Sequence, residues 1–342
     1  MRKVTLPIIC LALIGAVSSC FDPASQSTLP AGGDQNARQG ESPRACASMD
    51  VLAENLKENP GLAQKMEEIE KHTARFAQLK GARKSGDVTA NAAVTVINIP
   101  VVVNVLYNTT RENISDAQVA SQIAVLNADF RKTNSDISNV PTAFSGLASD
   151  MEIQFTLQNT VRKQTSKTSW GTRDAMKSSK KGGIDPTTPT KVLNIWVCNI
   201  GGGILGYAQF PGGSSATDGV VIGPQYFGSS DIVKTGGYFS APYDKGRTAT
   251  HEVGHWLNLR HIWGDATCGN DQVADTPTQQ TANYGCPSFP HVTCGNGTNG
   301  DMFMNYMDYT DDKCMYMFSN GQKTRSQAIF AAGGARASFV GL

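Results

Sequence analysis

Residues 251–261, His-Glu-Val-Gly-His-Trp-Leu-Asn-Leu-Arg-His, constrain this chain more than any other stretch. On a helix, His251 and His255 leave the same face, because residues four apart stack over one another. Two such imidazoles suit a single metal ion. Glu252, one step round the helix, stands where a carboxylate can hold a water beside that ion. His261 lies six residues beyond His255 and reaches the same ion only if the helix stops and the chain folds back. Asn258 is placed for that turn, because asparagine tolerates the left-handed backbone that ends helices. The chain has five histidines, and three fall inside these eleven residues. A bare H-E-x-x-H occurs by chance, and buried histidines often only pack. Four functional positions and a turn make coincidence a poor account. The spacing predicts a catalytic zinc on His251, His255 and His261, with Glu252 as general base for a water.

H-E-x-x-H-x-x-G-x-x-H followed by a Met-turn is the metzincin pattern. Here Asn258 replaces the glycine of that pattern, and Asn305-Tyr306-Met307-Asp308-Tyr309 resembles the Met-turn, in which the methionine packs beneath the zinc histidines. IPVVVNVLY at 99–107, residues 114–134 and LGYAQFPG at 205–212 resemble the pappalysin family of metzincins. HIWGD at 261–265, residues 285–294 and residues 300–318 are similar to its ulilysin-like members. The resemblance covers roughly residues 95–342. It implies an α/β (α+β) metzincin: a twisted mixed sheet with helices in an upper lobe, an irregular disulfide-pinned lower lobe with a C-terminal helix, and a zinc cleft between.

The resemblance also implies roles. Tyr309 occupies the position that in several metzincins reaches the metal or the oxyanion; from residue type alone it is equally a core aromatic. Asp312 matches the acid at the base of the pocket for the residue after the scissile bond, where a carboxylate would favour Arg or Lys. Asp271, the carbonyl of Val273 and Thr276 align with a calcium loop, with Asp265 and Asp275 nearby. Oxygen ligands on an irregular loop suit calcium, but no EF-hand pattern is present. Cys46, in Arg44-Ala45-Cys46, resembles the thiol that blocks the open zinc position in pappalysin-family zymogens, although Ala47 stands where a glycine often follows. A disulfide from Cys46 to Cys198 is the rival reading.

The first twenty residues read as an export signal. Arg2 and Lys3 precede an apolar run, Leu6 to Val17, that is too short to span a bilayer. Val17-Ser18-Ser19-Cys20 resembles a lipobox, which would make Cys20 a lipidated N-terminus; an ordinary secretory signal is the alternative. Cys268, Cys286, Cys294 and Cys314 cluster in a loop-rich stretch of an exported chain, which reads as two disulfides with three possible pairings. The resemblance implies Cys268–Cys294 and Cys286–Cys314. The expected location is the bacterial cell surface or outer membrane as a lipoprotein, or the medium after processing.

Domain boundaries follow from composition. Residues 1–19 form the signal, 20–93 a tether and pro-segment, and 94–342 the catalytic domain. Residues 50–82 are helical in character, with a start at Asn59-Pro60. GARKSGD at 81–87 is a polar breaker that offers Arg83 or Lys84 as an exposed cleavage site, which the enzyme itself could cut. Strands are expected at 94–107, 151–158, 192–200 and 217–223, with 204–210 as an edge strand. Helices are expected at 116–131 behind Ser115, at about 244–258, and at 320–332 behind Ser319.

With 30 Lys+Arg against 29 Asp+Glu, the net charge is +1. That gives no basic excess for nucleic acid, and the expected partners are protein or peptide substrates bound as extended strands to a monomer. A catalytically silent binding scaffold and a zinc hydrolase acting on another amide, such as a cell-wall peptide, are the competing classes. Retention of Glu252 argues against the first, and an edge strand that would bind extended peptides favours a protease over the second. His72 and His291 are left as unassigned surface residues.

Overall fold

This computed structural model describes residues 44–84 and 96–341. The signal segment, Cys20 and residues 85–95 lie outside the described residues. Residues 44–84, the first described stretch, contain two helices, α1 (Ser48–Glu58) and α2 (Leu62–Lys84). They break at Asn59-Pro60, where proline cannot continue a hydrogen-bonded helix. α2 runs through Lys84, so the expected breaker at 81–87 does not interrupt the helix at Arg83.

Beyond it the chain builds a five-stranded sheet in the order β2-β1-β3-β5-β4. The strands are β1 (Ile97–Tyr107), β2 (Ile153–Gln164), β3 (Leu193–Val197), β4 (Gly206–Ala208) and β5 (Val220–Ile222). The first four in spatial order are parallel, and β4 joins the edge antiparallel to β5. β1 is buried almost throughout, as a central parallel strand covered on both faces should be. β2 extends past the expected 158 because its pairing with β1 continues to Gln164 across a bulge at Val101/Val102.

One sheet face carries Val101, Val103, Val105, Ile195 and Val197. It packs against α3 (Asp116–Phe130) and α5 (Arg247–Trp256) through Val119, Leu126, Phe130, Val253 and Trp256. Ser115 caps α3 by accepting from Gln118 N–H. The opposite face holds Leu106, Trp196, Tyr207 and Val221 under Trp170 and Met176. A short α4 (Thr142–Ser145) precedes β2. After α5 the chain is irregular until α6 (Asn320–Ala328), whose N-terminus is closed by a capping box between Ser319 and Gln322. The irregular stretch is cross-linked by Cys268–Cys294 and Cys286–Cys314. Cys46 and Cys198 are both free, so the rival disulfide between them is not formed.

Candidate active site

α5 is shorter than the expected 244–258, because each end is set by a left-handed residue. Gly246 precedes it at φ 85°, and Asn258 follows it at φ 72°. The turn at Asn258 sends the chain back, and His261 meets His251 and His255. His255 Nε2 lies 3.1 Å from His251 Nε2 and 3.1 Å from His261 Nε2. Nitrogens bound to one tetrahedral zinc at ~2.0–2.1 Å stand at a comparable separation.

The outer nitrogens explain why these rings fit a cation. His251 Nδ1 lies 2.7 Å from the Tyr306 carbonyl, and His255 Nδ1 lies 2.8 Å from the Leu259 carbonyl. A carbonyl only accepts, so both Nδ1 atoms carry the proton and both Nε2 lone pairs point inward. His261 Nδ1 lies 2.5 Å from Asp265 Oδ1, a carboxylate–histidine pair of the kind that orients metal ligands. Burial holds His251 and His255 well below the usual histidine range, neutral and ready to ligate. Three buried lone pairs facing one another repel unless a cation lies between them.

Glu252 is buried beside this cluster, and burial pushes its carboxyl up to about 7. β4 comes close enough that a Cβ on Gly206 would sit 3.0 Å from Glu252 Cγ, so glycine is what lets the edge strand reach the site. Met307 lies beneath: a Cβ on Gly254 would meet its sulfur at 2.4 Å. The thioether therefore fills the space that Gly254 leaves on the zinc helix. Tyr309 is buried with its ring edge-on to His261 at 4.9 Å, and its hydroxyl lies 3.4 Å from the Cys46 carbonyl.

The N-terminal segment runs through the same site. Leu205 N–H donates to the Ala45 carbonyl and Ala47 N–H to the Gly206 carbonyl, so residues 45–47 lie parallel to β4 as an added strand. Cys46 Sγ joins the three histidines in a cluster whose ligand atoms all lie within 4.8 Å of one another. Ser48 Oγ donates to Glu252 Oε2 at 2.7 Å and accepts from Ala208 N–H at 2.8 Å. Arg44 forms a buried ion pair with Asp312 and stacks over Tyr243 at 4.8 Å. Asp312 also accepts from the N–H groups of Lys245 and Arg247, which ties it to the start of α5.

Further out, Asp271, Val273 and Thr276 come together. Thr276 Oγ1 lies 2.8 Å from Asp271 Oδ2 and 2.9 Å from the Val273 carbonyl. His72 and His291 are not idle surface residues. His72 Nε2 lies 3.0 Å from the Ala328 carbonyl, and His291 Nδ1 lies 2.9 Å from Asp301 Oδ2.

Sequence reasoning gave Arg44 and Ser48 no role, and it read Asp265 only beside calcium. The signal for Arg44 was available: a basic residue two before Cys46 complements the acid expected in the specificity pocket. Ser48 and the ring-orienting carbonyls carry no local pattern.

Three converging imidazoles, a buried glutamate beside them and a methionine turn below, set under a mixed sheet, define a metzincin zinc metalloendopeptidase. A family model described as Pregnancy-associated plasma protein-A, peptidase family M43, matches residues 188–331. An extracellular metalloprotease of Pyricularia oryzae is 33% identical over 292 residues, 84% of this chain and 93% of that protein. Mature mirolysin of Tannerella forsythia, solved with a cleaved peptide, is 48% identical with a TM-score of 0.68, over 71% of this chain and 95% of its own. A promirolysin mutant from the same organism is 42% identical with a TM-score of 0.75, over 86% and 97%. The chain belongs to the pappalysin (M43) family of metallopeptidases.

Proposed function

We propose that this protein is an exported, latent zinc endopeptidase that cleaves proteins before Arg or Lys, with residues 20–93 as tether and pro-segment and 94–342 as the catalytic domain. The carrying observation is the buried ion pair between Arg44 and Asp312, in a segment that also brings Cys46 to the histidines. A guanidinium already accommodated at Asp312 supports a pocket suited to basic side chains. Salt-bridged and stacked on Tyr243, Arg44 represents the side chain a substrate would insert.

When bound, zinc supplies Lewis acidity that polarises the scissile carbonyl and acidifies a water. Glu252 takes the proton from the attacking water and delivers it to the leaving amine. Tyr309 donates to the developing oxyanion; burial pushes its hydroxyl far above the usual tyrosine range and keeps it protonated. β4 offers backbone N–H and C=O groups to an extended peptide once residues 45–47 leave.

Latency, in this reading, comes from Cys46, which together with His251, His255 and His261 would hold the zinc as a thiolate and so keep water from it. Without a dication, burial and Glu252 push the Cys46 thiol up; the charge of the ion reverses that preference. Activation follows cleavage in the last turn of α2, where Arg83 and Lys84 are the matching sites. Asp271, the Val273 carbonyl and Thr276 form a calcium loop. The relatives' designation as extracellular supports export, with Cys20 as lipid anchor or release after processing. Among the described residues no helix is long and apolar enough to cross a membrane.

The test is a cleavage profile: digest a proteome-derived peptide library with the activated chain and read the new N-termini. The proposal expects them to begin with Arg or Lys. A profile indifferent to that position would overturn it.

A further inference from the structure

Asp129 lies on α3, away from the metal ligands, and is buried to 2% exposure. A buried carboxylate is costly unless donors surround it, and three do. Thr250 Oγ1 donates to its Oδ2 at 2.7 Å, and the Tyr306 hydroxyl donates to its Oδ1 at 3.0 Å. Arg247 forms an ion pair with it at 3.1 Å. Arg247 is itself held by Asp136 at 3.1 Å and by the Met315 carbonyl.

The two hydrogen-bond donors are not arbitrary neighbours. Thr250 immediately precedes His251 on α5. Tyr306 supplies the carbonyl that receives His251 Nδ1–H at 2.7 Å, and immediately precedes Met307. One carboxylate therefore grips both the backbone that carries His251 and the peptide that orients its ring. It also fixes the Met-turn whose sulfur sits against Gly254. If only packing mattered, apolar residues would fill this space at less cost.

We infer that Asp129 is a positioning residue of the zinc centre, setting the orientation of His251 through Tyr306 and Thr250 without touching the metal. Outer partners of ligating histidines fix the ring and its tautomer, and losing one weakens metal affinity about 10- to 100-fold. The Tyr306–Met307 peptide is also held by Met307 N–H donating to Asn305 Oδ1 at 2.9 Å and by Tyr306 N–H donating to the Met317 carbonyl at 3.0 Å, so loss of the Asp129–Tyr306 bond removes the side-chain hold on this peptide and shifts the carbonyl that orients His251.

The inference rests on the three-histidine zinc reading. A parent chain binding one zinc upholds that reading, and a parent binding none would fail it independently. The experiment compares full-length Asp129→Asn, Tyr306→Phe and a core control, Ile200→Ala, which trims the buried cluster of Trp170, Met176 and Trp196 on the other side of the sheet. Zinc affinity is measured by chelator competition, and ligand geometry by the visible spectrum of the cobalt-substituted protein. Asp129→Asn and Tyr306→Phe should each weaken zinc about 10- to 100-fold and shift the cobalt bands. After activation, kcat should fall while KM stays within about threefold. Ile200→Ala should lower the melting temperature with zinc affinity and spectrum unchanged. Tyr306→Phe loses only a hydroxyl, so it decides the matter if Asp129→Asn fails to fold. Parental zinc affinity and cobalt spectrum in Tyr306→Phe would overturn the inference.

Discussion

Ser48 Oγ stands 2.7 Å from Glu252 Oε2 and donates to it, while accepting the N–H of Ala208 on the edge strand. One hydroxyl thus occupies both the proposed general base, Glu252, and a backbone donor on the edge strand. Hydrogen bonds to charged groups contribute roughly 1.5–3 kcal/mol. Ser48→Ala should therefore shorten the lag before activity by about 10- to 100-fold, and Cys46→Ala should release early activity as well. Both residues lie in the proposed pro-segment, whose removal should leave the matured enzymes matching the parent. Activity traces of freshly purified chains check this; a fully latent Cys46→Ala chain would contradict the switch.

Asp312 receives one guanidinium and two backbone N–H groups, all drawn to a negative charge. Asp312→Asn keeps the shape and removes that charge. Cleavage before Arg or Lys should fall about 100-fold in kcat/KM, and cleavage before apolar residues should fall much less. The ratio of the two rates on matched peptides is the measurement.

His261 depends on Asp265 for its ring orientation. Asp265→Asn should weaken zinc about tenfold or more while leaving KM near parental, because the carboxylate orients a ligand rather than meeting substrate. Titration with a competing chelator checks the affinity. An unchanged value would assign Asp265 to the neighbouring loop alone.

Burial pushes the Asp271 carboxyl up to about 6. The folded chain therefore holds that proton more tightly than the unfolded chain, whose aspartates titrate near ~4. The contribution is fully present below about pH 4 and is lost as pH rises through about 6. Calcium bound at the proposed loop would compete for the same carboxylate and restore stability above that range. Melting curves from about pH 4 to 8 should show calcium stabilising the parent increasingly as pH rises. Asp271→Asn should lose both the calcium response and this part of the pH dependence. A calcium response preserved in that variant would remove Asp271 from the site.

The convergence of the three histidines was legible because its information is local: four-residue spacing on a helix, then an asparagine that takes φ 72°. The cross-linked loops were legible from four clustered cysteines, which pair as two disulfides. The start of α5 was not, because Gly246 at φ 85° and the Asp312 carboxylate trim it from outside the motif. The Arg44–Asp312 pair joins residues 268 positions apart, and Ser48 meets Glu252 across 204. No periodicity reports such contacts. They arise when the N-terminal segment is laid along β4, which strand propensity alone does not foretell.

The most direct test of the central claim compares the activated parent with Glu252→Gln, each with bound zinc counted and each assayed before and after chelation. The account predicts one zinc in both proteins. Parental cleavage should vanish on chelation and return with zinc, and the Glu252→Gln rate should be lower by about 10²- to 10⁴-fold. A chelated parent that still cleaves, or a Glu252→Gln chain that cleaves at the parental rate, would contradict it.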